Sequence, residues 1–340
     1  MLQNRRGNPT TSSFQRPTNT AAATASQSVL KLVAQARSTG RLNLSNQSLT
    51  AVPDVLFTRA DVRGADVSLD QGGGNWWEET DLTKLVIADN EIESIDERVA
   101  ELGALTMIDA HNNKISTLPD LSALGNLTVL HLASNSLVSL PDSIWLLNLA
   151  ELNISHNRIT FLHIPPTSPA ALSLAILDAS NNQLSSLPLT SAPRLTKLML
   201  KSNMLSGPLP LPPQGTTQPV GGVFTLTSPV VLPGLLQLDL RINRLTTLEC
   251  PVTARNLKEL LLQTNKLVLL SGALYLSAVG SLETLDVREN SLDALPKEIV
   301  DMGELKRLFV EGNLIRNPRR AVIEKGTAAM VQWMKERVVV

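Results

Sequence analysis

Residues 127–144 read Leu127-Thr128-Val129-Leu130-His131-Leu132-Ala133-Ser134-Asn135-Ser136-Leu137-Val138-Ser139-Leu140-Pro141-Asp142-Ser143-Ile144. The same pattern, L-x-x-L-x-L-x-x-N-x-L-x-x-L, returns at Leu282, Leu285, Val287, Asn290, Leu292 and Leu295, again followed by proline and isoleucine. Its asparagine recurs at Asn90, Asn113, Asn135, Asn157, Asn182, Asn203, Asn243, Asn265, Asn290 and Asn313. Successive steps are 21–25 residues, apart from one of 40. An earlier unit, Leu42, Leu44 and Leu49, carries Gln47 at the asparagine slot, 43 residues before Asn90. Chance supplies one such unit, not eleven in near-constant register.

The spacing dictates the local structure. Alternating leucines in x-x-L-x-L-x-x have period 2, so each unit makes a short strand with its leucines turned to the core. Stacking such units at about 4.8 Å builds a curved parallel sheet on the order of 50 Å long. The asparagine falls where the chain must turn, and its amide can pair with backbone groups from unit to unit. The segment after Leu-Pro returns as a short helix or 3-10 turn. These are leucine-rich repeats, and the fold expected is an α/β leucine-rich repeat solenoid. Its concave face is the sheet, its convex face carries short helices and 3-10 turns, and helical caps cover both ends.

Composition agrees. Leucine makes up 61 of 340 residues, whereas Trp, Tyr and Phe together number 4, 1 and 5, because identical small slots exclude rings. Residues 28–38 read as an amphipathic first cap, with a Ser start and Gly40 just past its end. At the other end, within 314–340, Asn317-Pro318 reads as a helix start and Met330, Trp333, Met334 and Val338 recur at helical spacing. The solenoid is therefore expected over 28–340, preceded by a basic, disordered tail at 1–27. Arg5, Arg6, Arg16, Lys31, Arg37 and Arg41 all precede the first acid, Asp54. That start has the composition of a transit peptide, but Gly7, Pro9 and Pro17 interrupt any amphipathic helix, and no apolar signal core exists. The compartment expected is the cytoplasm, then the nucleus, with mitochondrial import behind both.

Two stretches break the period. An insertion at about 53–80 holds the run Gly72-Gly73-Gly74 and then Trp76-Trp77, read either as a loop packed on the solenoid edge or as a partner anchor. A proline-rich insertion at about 207–230 suits an extended surface loop. It lacks the basic residue that proline-recognition ligands use, none lying between Lys201 and Arg241.

Gly40-Arg41-Leu42-Asn43-Leu44-Ser45, the segment Trp76–Leu85 with its Trp-Trp-Glu-Glu, and Glu311-Gly312-Asn313 with Arg319–Thr327 resemble the leucine-rich repeat-containing protein 40 family of intracellular proteins. The resemblance spans about residues 28–337. It implies a non-catalytic, intracellular interaction protein, and no catalytic residues to carry over. Family members continue into a second run of repeats, whereas these repeats end at the cap-like helix. The proline-rich insertion also departs from the family pattern, so a partner bound across 203–243 would differ.

The formal charge of −1 argues against a dedicated nucleic-acid binder, and no apolar run is long enough for membrane insertion. No metalloprotease, Walker, C-x-x-C or nucleophile-elbow motif occurs, and the lone Cys250 reads as a small buried residue. The chain is thus read as no enzyme, with no cofactor, monomeric in isolation.

Projecting the variable strand positions onto the concave face gives the candidate partner-binding set. In its first half these are Asp109, His111, His131, Asn153, His156 and Asp178; in its second, Lys201, Asp239, Arg241, Asp286, Arg288 and Phe309. The histidines beside Asp109 also permit a weak metal site, although their positions are offset. In the second half, acid and base alternate at i and i+2, hence on one face, which patterns a docking surface. The function expected is a protein-interaction scaffold binding through this face. The alternative is an adaptor working through Trp76 and Trp77 or the basic tail.

Overall fold

A computed structural model of the chain describes residues 26–58, 80–187, 189, 191–208, 232–247, 254–270 and 280–338. The basic tail, Trp76 and Trp77, Cys250 and nearly all of the proline-rich insertion lie outside the described residues.

Each unit contributes one three-residue parallel strand: β1 (Arg41–Asn43), β2 (Lys84–Val86), β3 (Met107–Asp109), β4 (Val129–His131), β5 (Glu151–Asn153), β6 (Ile176–Asp178) and β7 (Lys197–Met199). After the short β8 (Ser206–Pro208) come β9 (Gln237–Asp239), β10 (Arg244–Thr247), β11 (Glu259–Leu261), β12 (Thr284–Asp286) and β13 (Arg307–Phe309). Eleven of these form one sheet in the order β1-β2-β3-β4-β5-β6-β7-β9-β11-β12-β13. The spacing anticipates these eleven steps. It does not anticipate the small parallel pair of β8 and β10 that flanks the sheet at the 40-residue step.

The middle residue of every sheet strand, from Leu42 through Leu130 to Leu308, is buried, as is the apolar residue two positions on. Burying a leucine contributes roughly 1.5–3 kcal/mol, so the core is a column of equivalent small contributions. Polar pairing locks the stack. Nδ2 of Asn135 donates to the carbonyls of Leu132 and of Ala110, one unit back, at 3.1 and 3.0 Å, while its Oδ1 accepts from Ile115 N–H at 2.9 Å. Asn90, Asn157, Asn182, Asn203, Asn243, Asn265, Asn290 and Asn313 repeat the arrangement.

The residue before each ladder asparagine is left-handed, from Asp89 to Ile242, Thr264 and Glu289, as is Asn46 before Gln47, with φ between 53° and 58°; Gly312 ends the row at 73°. Convex segments are 3-10 turns at Asp54–Leu56, Glu97–Glu101, Asp142–Leu146 and Lys297–Asp301, and helix α2 (Pro169–Ser173). Helix α1 (Gln27–Thr39) lies against β1 and buries Val29, Val33 and Ala36. Ser26, rather than Ser28, caps it, and Gly40 closes it at φ 65°.

At the far end the helix Thr327–Val338 packs on β13, burying Met330 and Met334, with Trp333 partly buried against the core. The helix start expected at Asn317-Pro318 is displaced: the short helix Arg320–Ile323 begins after Arg319, whose extended backbone makes the break. Among the described residues, no helix is long and apolar enough to cross a membrane.

Candidate functional site

The strand register turns variable positions into rows. Val86, Asp109, His131, Asn153, Asp178, Met199, Asp239, Leu261, Asp286 and Phe309 are successive neighbours across the sheet. Two residues on, beyond the strand ends, stand His111, Lys201, Arg241 and Arg288. His156 departs from this set. It occupies the left-handed turn after β5 at φ 55°, exposed, with its Nε2 3.1 Å from Nδ2 of Asn181. The chain has left the strand there, so the period-2 projection no longer applies, and His156 does not join His111 and His131. Among the described residues, no three or more His, Cys, Asp or Glu are grouped to hold a metal ion.

Many acids and amides of the inner row have a backbone duty. Oδ1 accepts the N–H two residues on in Asp109–His111, Asn153–Ser155, Asp178–Ser180, Asp239–Arg241 and Asp286–Arg288, at 2.9–3.2 Å. A short polar side chain supplies the acceptor where the ladder ends, the ordinary use of Asx residues at turns.

In the first half of the face, Asp109 sits between two histidines. Its Oδ1 is 2.7 Å from Nδ1 of His111 and its Oδ2 4.0 Å from Nδ1 of His131. His131 Nε2 lies 3.1 Å from Glu151 Oε1, and His111 Nε2 lies 3.7 Å from Asp89. Burial pushes the Asp109 carboxyl up, but the nearby His131 and the hydrogen bonds from His111 outweigh it and hold the group down at about 2. The neighbouring Asp109 carboxylate raises the His131 imidazole above its ordinary value, against burial and with help from Glu151. Glu151 escaped the projection although it opens a strand and shares the face of Asn153.

In the second half, acid and base are clamped. Arg241 Nε and Nη2 donate to Asp239 at 2.9 and 2.6 Å; Arg288 does the same to Asp286 at 3.0 and 2.6 Å and lies 4.9 Å over the Phe309 ring. Asp239 and Asp286 are only 5 % and 4 % exposed, so the groups offered to a partner are the guanidinium edges rather than the carboxylates. Hydrogen bonds donated to these carboxylates raise both arginines further, keeping them charged at any physiological pH.

At the opposite ends of the same strands is a cavity of about 280 Å³ bordered by Lys197, Leu236, Gln237, Lys258, Glu259 and Arg307. Glu283 at its rim bridges Lys258 and Lys306 at 3.2 and 2.9 Å, and Arg307 lies 3.5 Å from Glu259. The two projected rows omit these residues. The signal was present, because the first and third residues of a strand share a face.

Residues 80–137 match the family model for the leucine rich repeat. The crystal structure of the LRIM1/APL1C complex is similar over 80 % of this chain and 43 % of its own, at 23 % identity and a TM-score of 0.59. YopM, a leucine-rich effector protein from Yersinia pestis, is similar over 85 % of this chain and 64 % of its own, at 22 % identity and a TM-score of 0.54. An octameric complex of latrophilin 3, Unc5D and FLRT2, whose leucine-rich repeat part is FLRT2, matches over 81 % and 82 % at 18 % identity and a TM-score of 0.52. This chain thus spans less than two thirds of the first two, and identities this low speak for the fold alone. With the repeat-family match at 80–137 and the eleven-stranded stack around it, the chain has the leucine-rich repeat solenoid fold.

Proposed function

We propose that this protein is a non-catalytic scaffold that docks a partner protein on its concave face. The observation that carries the reading is the pair of rows themselves. A frame held by buried asparagines presents, strand by strand, non-identical polar side chains whose guanidinium and imidazole edges remain partly exposed. Such a surface offers a partner electrostatic complementarity at little reorganisation cost. Solved complexes named for LRIM1/APL1C and for FLRT2 support a binding role for the architecture. The resemblance to the leucine-rich repeat-containing protein 40 family, on the segments quoted above, favours an intracellular, cytoplasmic location. Fractionation of the cell of origin tests that compartment.

Docking is tested by placing a photo-crosslinking amino acid at Val86, Met199 or Leu261 on the concave face and, separately, at Leu172 on the convex side. Concave positions are expected to crosslink one shared partner in native lysate. Crosslinks confined to Leu172, or abolished by replacing Trp76 and Trp77 while the concave face is intact, overturn the assignment in favour of an adaptor.

A further inference from the structure

The cavity at the entrance of β7, β9, β11 and β13 has a chemistry distinct from the rest of the face. Lys197 is exposed and has no ion pair among the described residues. Arg307, its side chain 59 % exposed, makes only the long contact to Glu259 and a hydrogen bond to Thr284 Oγ1. Glu283, by contrast, is saturated by two lysines. The charge left to a visitor is therefore positive. Leu236, 38 % exposed, is the apolar residue of a lining that is otherwise charged or, at Gln237, polar.

The wider surroundings point the same way. On β7, β9, β11, β12 and β13 the concave rows carry more cations than anions, and two of the anions, Asp239 and Asp286, are buried beneath Arg241 and Arg288. The first half of the face carries Asp109, Glu151 and Asp178 against Arg41 and Lys84, so a small excess of charge is negative there and positive on β7–β13. At about 280 Å³ the cavity falls just under the ~300–1,000 Å³ usual for small-molecule sites, which suits a few side chains of a docked chain. Glu259 and Glu311 break the cations into separate spots rather than a continuous track, which suits discrete carboxylates better than an unbroken phosphate backbone.

We propose that this cavity receives an extended acidic segment of a partner protein, its carboxylates on Lys197 and Arg307 and an aliphatic side chain on Leu236. The proposal rests on the concave-face docking reading and names the chemistry of the partner at one end of it. A partner lying along the face would then have a fixed polarity, acidic end on β7–β13.

The test uses the full chain and a short fluorescein-labelled peptide alternating Glu and Leu, followed by fluorescence polarisation. Binding is expected, weakening with added salt, and falling at least about tenfold in Lys197→Glu with Arg307→Glu. Lys197→Gln with Arg307→Gln should give a smaller loss. Arg41→Glu with Lys84→Glu, at the other end of the sheet, should leave affinity unchanged. All these side chains are at least partly exposed, and an unchanged thermal midpoint verifies that each variant folds. Equal binding of a Lys-Leu peptide, tighter binding of a single-stranded oligonucleotide, or indifference to the paired Lys197 and Arg307 substitutions overturns the proposal. If the peptide fails while concave crosslinks persist, docking stands and only the acidic-segment assignment falls. Crosslinks confined to the convex side remove both.

Discussion

The two halves of the concave face share one backbone and differ only in what stands on it. From β2 to β6 the inner row is built of Asp109, His131, Asn153 and Asp178, and its central carboxylate stands between two imidazoles, of which His131 is raised above its ordinary value. From β9 to β13 the carboxylates are held by arginines that stay charged. The rim differs too. Left-handed turn positions in the first half are Asp89, Asn112, Ser134, His156 and Asn181, residues that tolerate that backbone; in the second, β-branched Ile242 and Thr264 adopt it at φ 55° and 57°. Repeats thus separate the two tasks: buried positions maintain the coil, while exposed positions vary without disturbing it.

The largest effect should fall on what the halves have in common. Asn135→Ala and Asn265→Ala each leave buried carbonyls and one backbone N–H unpaired, and each should cost about 3 kcal/mol in urea unfolding. A large inequality between them would break the idea of a common frame. Next comes the difference in acid duty. Asp286→Ala removes two guanidinium bonds and one backbone bond, and should cost about 2 kcal/mol, moderated because Arg288 reaches water. Asp178→Ala removes the bond from Ser180 N–H and should cost about 1 kcal/mol. Equal losses would erase the distinction between clamped and open acids.

Turn strain gives a gain rather than a loss. Ile242→Asn should stabilise by about 1 kcal/mol, and Asn112→Ile should destabilise by at least about as much, both read from the urea midpoint. The smallest effect is pH dependence, confined to the first half. His131 is raised in the folded state, so its stabilisation is fully present below the unfolded value near 6.5 and is lost as pH rises through the folded value. Asp109, lowered to about 2, contributes above its unfolded value near 3.9 and loses that contribution as pH falls toward 2. NMR titration should place His131 above the ordinary histidine value, and Asp109→Asn should bring it down. The thermal midpoint of His131→Gln should vary less between pH 6 and 8 than that of the parent. A His131 titration that ignores Asp109 would dissolve the contrast between the halves.

Leucine spacing made the strands legible because a period of 2 leaves each side chain one of two faces. The same rule placed Asp109, Arg241 and Arg288 in their rows. It failed at His156, where the backbone turns left-handed, and it passed over Glu151, Lys197 and Arg307, which share the face at the strand starts. No periodicity marked β8 and β10, whose pairing follows from two unequal units lying side by side.

By itself, then, the sequence determined the repeat, the parallel sheet, the asparagine positions and the general polarity of the concave face, since all are local consequences of spacing. Tertiary structure alone decided which charges are available. Asp239 and Arg241 are merely an acid and a base two apart until folding buries the carboxylate and turns the guanidinium over it. Likewise Lys197, Leu236 and Arg307 are far apart in the chain, and only the stacking of strands sets them around one cavity. Burial and neighbourhood are properties of the whole stack, and no single unit contains them.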